Sequence, residues 1–109
     1  MGYMRNHCIV VTCYGSTDGD MPIIDAHKKA IELFQHLVSN IVESTCNGMF
    51  SFFIAPDGSK EGWDTSDYGN CQRDNFIKWL RDKSYDWAEI QYGDEEGITK
   101  VIRHSDEYE

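Results

Sequence analysis

Apolar residues fall along this chain in two rhythms, one without gaps or of period two and one of period three to four, and the changes between them lay out the elements. Residues 7–14 form a continuous apolar run around Ile9, Val10 and Val11. A run of this kind predicts a strand covered on both faces, or at least one in the middle of a sheet. The polar loop Gly15-Ser16-Thr17-Asp18-Gly19-Asp20 interrupts it, and Pro22 suits the first turn of a helix that Asp20 can cap. Ile23, His27, Ala30, Ile31, Phe34, Leu37 and Val38 then recur at helical spacing, while Asp25, Lys28, Lys29 and Glu32 fall elsewhere, so the expected helix has one apolar face.

After Ser39-Asn40, residues 41–45 read as a short strand, and Asn47-Gly48 is the dipeptide that tolerates two positive φ angles in a tight hairpin. Residues 49–55 are its partner, with Phe50, Phe52 and Ile54 on one face and Met49, Ser51, Phe53 and Ala55 on a second, fairly apolar face. Pro56-Asp57-Gly58 ends the strand by turn chemistry. A second helix is expected over about 70–83, with Phe76, Trp79 and Leu80 buried, Arg73, Lys78, Arg81 and Lys83 around them, and Ser66, Asp67 or Asn70 as its cap. Residues 87–92 and 98–104 alternate like strands across Gly93-Asp94-Glu95-Glu96-Gly97.

The order β-α-β-β-α-β-β matches an α+β, ferredoxin-like split βαβ sandwich with one added strand: an antiparallel sheet with two helices on one face. A right-handed crossover from the first strand to the second leaves a gap for the third. Residues 1–104 form one domain, and 105–109 a frayed acidic tail. This fold hosts many activities and licenses no functional claim by itself.

Charge adds a direction to this frame. Nineteen acidic residues stand against ten basic ones, a net charge of −9. The last 25 residues hold eight of the acids against Lys100 and Arg103, six of the nine net negative charges. Such a surface repels nucleic acid and anionic membranes, so direct nucleic-acid binding is not expected. It serves solubility, attracts a basic protein partner, or presents carboxylates where phosphates would lie. No run approaches the roughly 18 apolar residues that cross a bilayer, and no signal-type segment opens the chain, so a cytoplasmic protein is expected. Gly2 does not suffice for myristoylation, which needs Ser or Thr at position 6, here Asn6.

Little catalytic chemistry is in view. There is no G-x-x-x-x-G-K-[ST], G-x-G-x-x-G, H-E-x-x-H, G-x-S-x-G or EF-hand pattern. Cys8, Cys13, Cys46 and Cys71 form no C-x-x-C pair and read as free thiols in the core, Cys8 and Cys13 on opposite faces of one strand. His27 and His36 lie about 900° apart around one helix, on opposite sides, and His27 reads as a hydrogen-bonded core histidine. No cofactor is indicated and no metal site is assigned.

Residues 56–70 stand out. A fifteen-residue stretch without structure is long for a compact domain. Trp63 and Tyr68, set among Asp57, Glu61, Asp64 and Asp67, offer an anchor and steering charge for a basic partner; the other reading is that Trp63 folds back as a lid over the core. The acidic tip Asp94-Glu95-Glu96 joins them, so the candidate partner-binding residues are Trp63, Tyr68, Glu61, Asp64, Asp67, Asp94, Glu95 and Glu96, with none assigned to catalysis.

The strings P-D-G-S-K-E-G-W at 56–63 and R-D-N-F-I-K-W-L at 73–80 resemble small uncharacterised proteins of tailed phages and prophages. They cover less than a third of the chain and bring no catalytic residue. The resemblance implies a viral origin, hence a non-enzymatic accessory factor that binds and modulates a host protein in the host cytoplasm. Two rivals stand beside it: a small enzyme using Asp57, Asp64 and Asp67 with a divalent ion, and a self-associating module, a homodimer, built on an edge strand and the apolar second sheet face.

Overall fold

The computed structural model describes residues 5–14, 22–81, 83–93 and 98–108, with side chains described up to residue 106. The chain is α+β, a five-stranded antiparallel sheet with two helices. Strand β1 (Asn6–Tyr14) leads to helix α1 (Pro22–Phe34), strands β2 (Val42–Glu43) and β3 (Met49–Ile54), helix α2 (Asp64–Arg81) and strands β4 (Asp86–Tyr92) and β5 (Lys100–His104). The sheet runs β2-β3-β1-β4-β5, so the apolar first strand is central and β3 fills the gap between β1 and β2. The loop 15–20 and the tip Asp94-Glu95-Glu96 lie outside the described residues.

Register assigns the two sheet faces. Ile9 lies opposite Ile54 and Glu89, and Val11 opposite Phe52 and Trp87. With Cys13 they face the helices and form one core with Ile23, Ala26, Ala30 and Phe34 of α1 and Phe76, Ile77 and Leu80 of α2. Phe76 stands at its centre, edge-on to Phe34 at 5.9 Å and parallel to Trp79 at 6.3 Å. Burying side chains of this size contributes about 1.5–3 kcal/mol each. The Tyr85 hydroxyl donates to the Pro22 carbonyl at 2.7 Å, tying the entry of β4 to that of α1.

The opposite face is only partly covered. Val10, paired with Phe53 and Ala88, is 38% exposed. The apolar run at 7–14 therefore marks a central strand, not one covered on both sides. Cys8 and Cys13 do point to opposite faces and both are buried, whereas Cys46 and Cys71 are exposed, against the expectation of core thiols.

Helix α1 stops four residues before its apolar pattern does. Gln35 takes the left-handed conformation (φ 52°), and a 3-10 turn, Gln35–Leu37, follows. Sheet pairing explains the early stop, because β3 captures the chain as it leaves the helix. The Ala55 N–H donates to the Leu37 carbonyl at 2.9 Å and the Ser39 N–H to the Phe53 carbonyl at 2.8 Å. Ile31, placed on the apolar face by spacing, is exposed. His27 is hydrogen bonded as read: its Nε2–H donates to the Ser39 carbonyl at 2.7 Å, and its ring meets Phe52 edge-on at 5.2 Å. Asn47 and Gly48 take the positive φ angles their identities favour (70° and 59°). The turn is wider than a two-residue hairpin, since the Ser44 N–H donates to the Met49 carbonyl across residues 45–48.

Helix α2 begins at Asp64, six residues before the predicted start, so half of the supposed loop 56–70 is helix. Ser66, Asp67 and Asn70 lie inside it and cap nothing. Its buried stripe is Ser66, Gly69, Arg73, Phe76, Ile77 and Leu80, and Arg73, read as a surface residue, belongs to it. The tail assigned to fraying begins with a 3-10 turn, Ser105–Tyr108, and the Ser105 hydroxyl accepts the Trp87 N–H at 3.2 Å.

Candidate functional site

The start of α2 is fixed by charge and by backbone. The Trp63 carbonyl accepts the Asp67 N–H at 3.1 Å, the first helical bond, and the Trp63 N–H donates to the Lys60 carbonyl at 3.2 Å. Asp64 and Asp67 fall in the first turn, where the partial positive charge of the helix end favours carboxylates. That gives both a structural reason to be acidic, independent of any partner.

Around this turn the predicted residues separate. Trp63 is 49% exposed and Tyr68 58%, so Trp63 is not a lid over the core. Five helical residues turn the chain by about 140° beyond a full circle, so the two rings do not make one platform. Trp63 shares a side with Asp67, and Tyr68 with Asp64. The Tyr68 hydroxyl accepts from Gln72 Nε2 at 3.1 Å, which reaches on to the Leu33 carbonyl at 3.3 Å. Glu61 is engaged elsewhere, holding the Arg5 guanidinium at 3.1 Å and so fastening the approach to β1 onto the loop.

Asp57 is set apart from Asp64 and Asp67. Its Oδ1 accepts the Ser59 N–H at 2.8 Å and the Ser59 hydroxyl at 2.6 Å. Among the described residues no group of three or more His, Cys, Asp and Glu side chains is placed to share a metal ion.

Behind this surface lies a charged cluster that the pattern along the chain did not indicate. Arg73 Nε meets Glu89 Oε2 at 3.2 Å, with the two side chains 9% and 4% exposed. The second Glu89 oxygen takes Arg103 Nε at 2.7 Å, and Arg103 Nη1 continues to Asp74 at 2.8 Å. Arg73 also donates to the Asn70 side-chain oxygen. Burial pulls the Arg73 guanidinium below its ordinary range, and Glu89 opposes that. Gly69 makes room: a Cβ there would stand 2.8 Å from Asp57 Oδ2 and 3.2 Å from Arg73 Nη1. Beside them His7 Nδ1 is buried without a hydrogen-bond partner, and burial, then Arg73, hold its imidazole below the usual range. His7, Asp57, Gly69 and Arg73 line one side of a cavity of about 20 Å³, room for a single water. Chemically this is a neutral imidazole beside a neutralised ion network. The available signal was that Glu89 and Gln91 share the strand face of Trp87, which the fold turns toward the helices.

The open sheet face carries the other surface. Val10, Ala88 and Val101 form the floor of a cleft of about 390 Å³, with Asp86, His104 and the turn at Ser105 and Asp106 around it. Thr12 and Ser51 close a hydroxyl pair at 2.8 Å on the same face.

Comparison with protein-family models, with curated proteins and with solved structures gave no match.

Proposed function

We propose that the chain is a non-enzymatic binding module that docks on the basic surface of another protein. The observation that carries this is the half-exposed Trp63 at the head of α2, set in a turn whose carboxylates, Asp64 and Asp67, are exposed with it. A tryptophan gives the largest anchoring area of any residue, and carboxylates at the rim steer a cationic partner and set orientation. The net charge of −9 works in the same direction. The resemblance of 56–63 and 73–80 to tailed-phage proteins supports a phage accessory factor acting on a host protein in the cytoplasm. A ferredoxin-like frame is the finer description of the fold, supported by the antiparallel order β2-β3-β1-β4; β5 is the strand added outside β4.

The test is capture of a partner from host lysate, followed by titration of the purified pair. Trp63→Ala with Asp64→Ala weakens binding about 10- to 100-fold, the range for loss of an anchor and a rim charge, and raised salt slows association. A partner bound equally well by the double variant sinks the reading. Self-association is the second reading, supported by exposed Val10, Tyr14, Val42 and Val101 on the open sheet face and short β2 at its edge. Light scattering that finds twice the chain mass at micromolar concentration favours it.

A further inference from the structure

The open sheet face has an apolar floor whose rim carries the Asp86 and Asp106 carboxylates beside His104, Thr12 and Ser105, and this combination selects its occupant. Val10 and Val101 are 38% and 53% exposed, an amount of apolar surface that contacts with solvent do not favour. Strand register puts Asp86 on the same face, opposite Thr12 and two residues from Ala88. Asp106 reaches the same cleft from the turn that follows β5. Both carboxylates are exposed.

We propose that this cleft receives an arginine side chain of a basic protein partner. The aliphatic stem of an arginine covers Val10, Ala88 and Val101, while its guanidinium reaches carboxylates at the rim. Arginine suits the place better than lysine because its head is more weakly hydrated and its planar fork matches a carboxylate. A cleft of about 390 Å³ exceeds the size of one side chain, leaving room for its neighbours. Charge argues against a second copy as the occupant: a two-fold pairing through this face would set its Asp86 and Asp106 carboxylates against another chain that also carries −9. The inference rests on the proposed meeting with a basic partner and adds a contact surface separate from the head of α2.

The test is an NMR titration of the whole chain with a blocked arginine–glycine peptide, its lysine counterpart and its citrulline counterpart, which keeps the shape and removes the charge. Expected are shifts of the Val10, Ala88 and Val101 methyls, strongest with arginine. Citrulline, or Asp86→Asn with Asp106→Asn, weakens binding roughly tenfold, as loss of charge-assisted contacts implies. Both aspartates are on the surface, so the double variant keeps the fold, and Trp63→Ala leaves these shifts unchanged. Shifts centred on Trp63 and Tyr68, indifferent to the Asp86 and Asp106 changes, overturn the cleft and leave the binding module standing. Equal shifts with arginine and citrulline also overturn it, because the rim charges then select nothing. A doubling of mass that covers Val10 gives the face to a second copy and overturns it as well.

Discussion

The Arg73 guanidinium is the charge this fold can least afford to leave alone. It is buried between α2 and β4, and Glu89 answers it there while also holding Arg103. Glu89→Gln keeps the shape and removes the counter-charge, so it should cost about 3–5 kcal/mol in denaturant unfolding, the loss typical of a broken buried pair. Asp74→Asn, at the exposed end of the same chain of contacts, should cost less than about 1 kcal/mol. His7 gives a pH signature in the same neighbourhood. The folded protein holds it neutral, whereas the unfolded chain titrates near 6.5. Its contribution is thus complete above pH 6.5 and is lost as the pH falls and the unfolded state takes up the extra proton. Unfolding midpoints of the native protein and of His7→Gln, followed between pH 6.5 and about pH 5, should fall more steeply for the native protein. Little of this cluster was legible along the chain beyond the place of Glu89 on the strand face of Trp87. A charged residue between polar neighbours looks like surface, and Arg73 becomes buried only because β4 brings Glu89 to meet it.

Secondary structure was legible where apolar residues carry the period and hidden where they do not. The run around Val10, the α1 positions Ile23, Ala30 and Phe34, and the strand at Phe52 and Ile54 lie where spacing places them, while Ile31 does not. The first turns of α2 were missed because its buried stripe there consists of Ser66 and Gly69, which no hydrophobic pattern registers. The end of α1 was missed for a different reason, since the signal to stop lies in β3 and not in the helix. Gln35 bears the strain of that exit, and a left-handed residue other than glycine costs about 1 kcal/mol or more. Gln35→Gly, the usual residue after a helix, should therefore raise stability by about 0.5–1 kcal/mol in thermal or urea unfolding. No change, or a loss, would mean that the Gln35 side chain repays its backbone conformation. The candidate site divides in the same way. Trp63 and Tyr68 were identifiable as unusual residues, but their different facings follow from the helix that contains them.

Across the molecule the described sheet is graded from centre to edge. Strand β1 is paired on both sides from Ile9 to Thr12 and on one side over the rest of its length, whereas β2 contributes two residues and β5 five at opposite margins. Amide hydrogen exchange should follow that gradient: slowest at Ile9 to Val11, where protection approaches global unfolding, and fastest in β2 and at the outer edge of β5. Uniform protection across the five strands would contradict it. The functional surfaces follow the layers. The helix layer presents the aromatic and acidic head of α2, and the partly covered side of the sheet presents the Val10 cleft, with the core between them. No helix among the described residues is long and apolar enough to cross a membrane.

The central place of β1 also has a consequence for the order in which the chain is made. Strand β1 needs β3 as one neighbour and β4 as the other, and β4 is translated some eighty residues after β1. Until then Ile9 and Val11 travel with an unpaired edge, and α1 has no finished sheet to lie on. Folding is therefore deferred until the β4 segment has emerged, and the slow pairing of distant segments sets its rate. A ribosome stalled before β4 would hold an adhesive strand with nowhere to go, which makes prompt synthesis of the β4 segment part of what keeps β1 from aggregating.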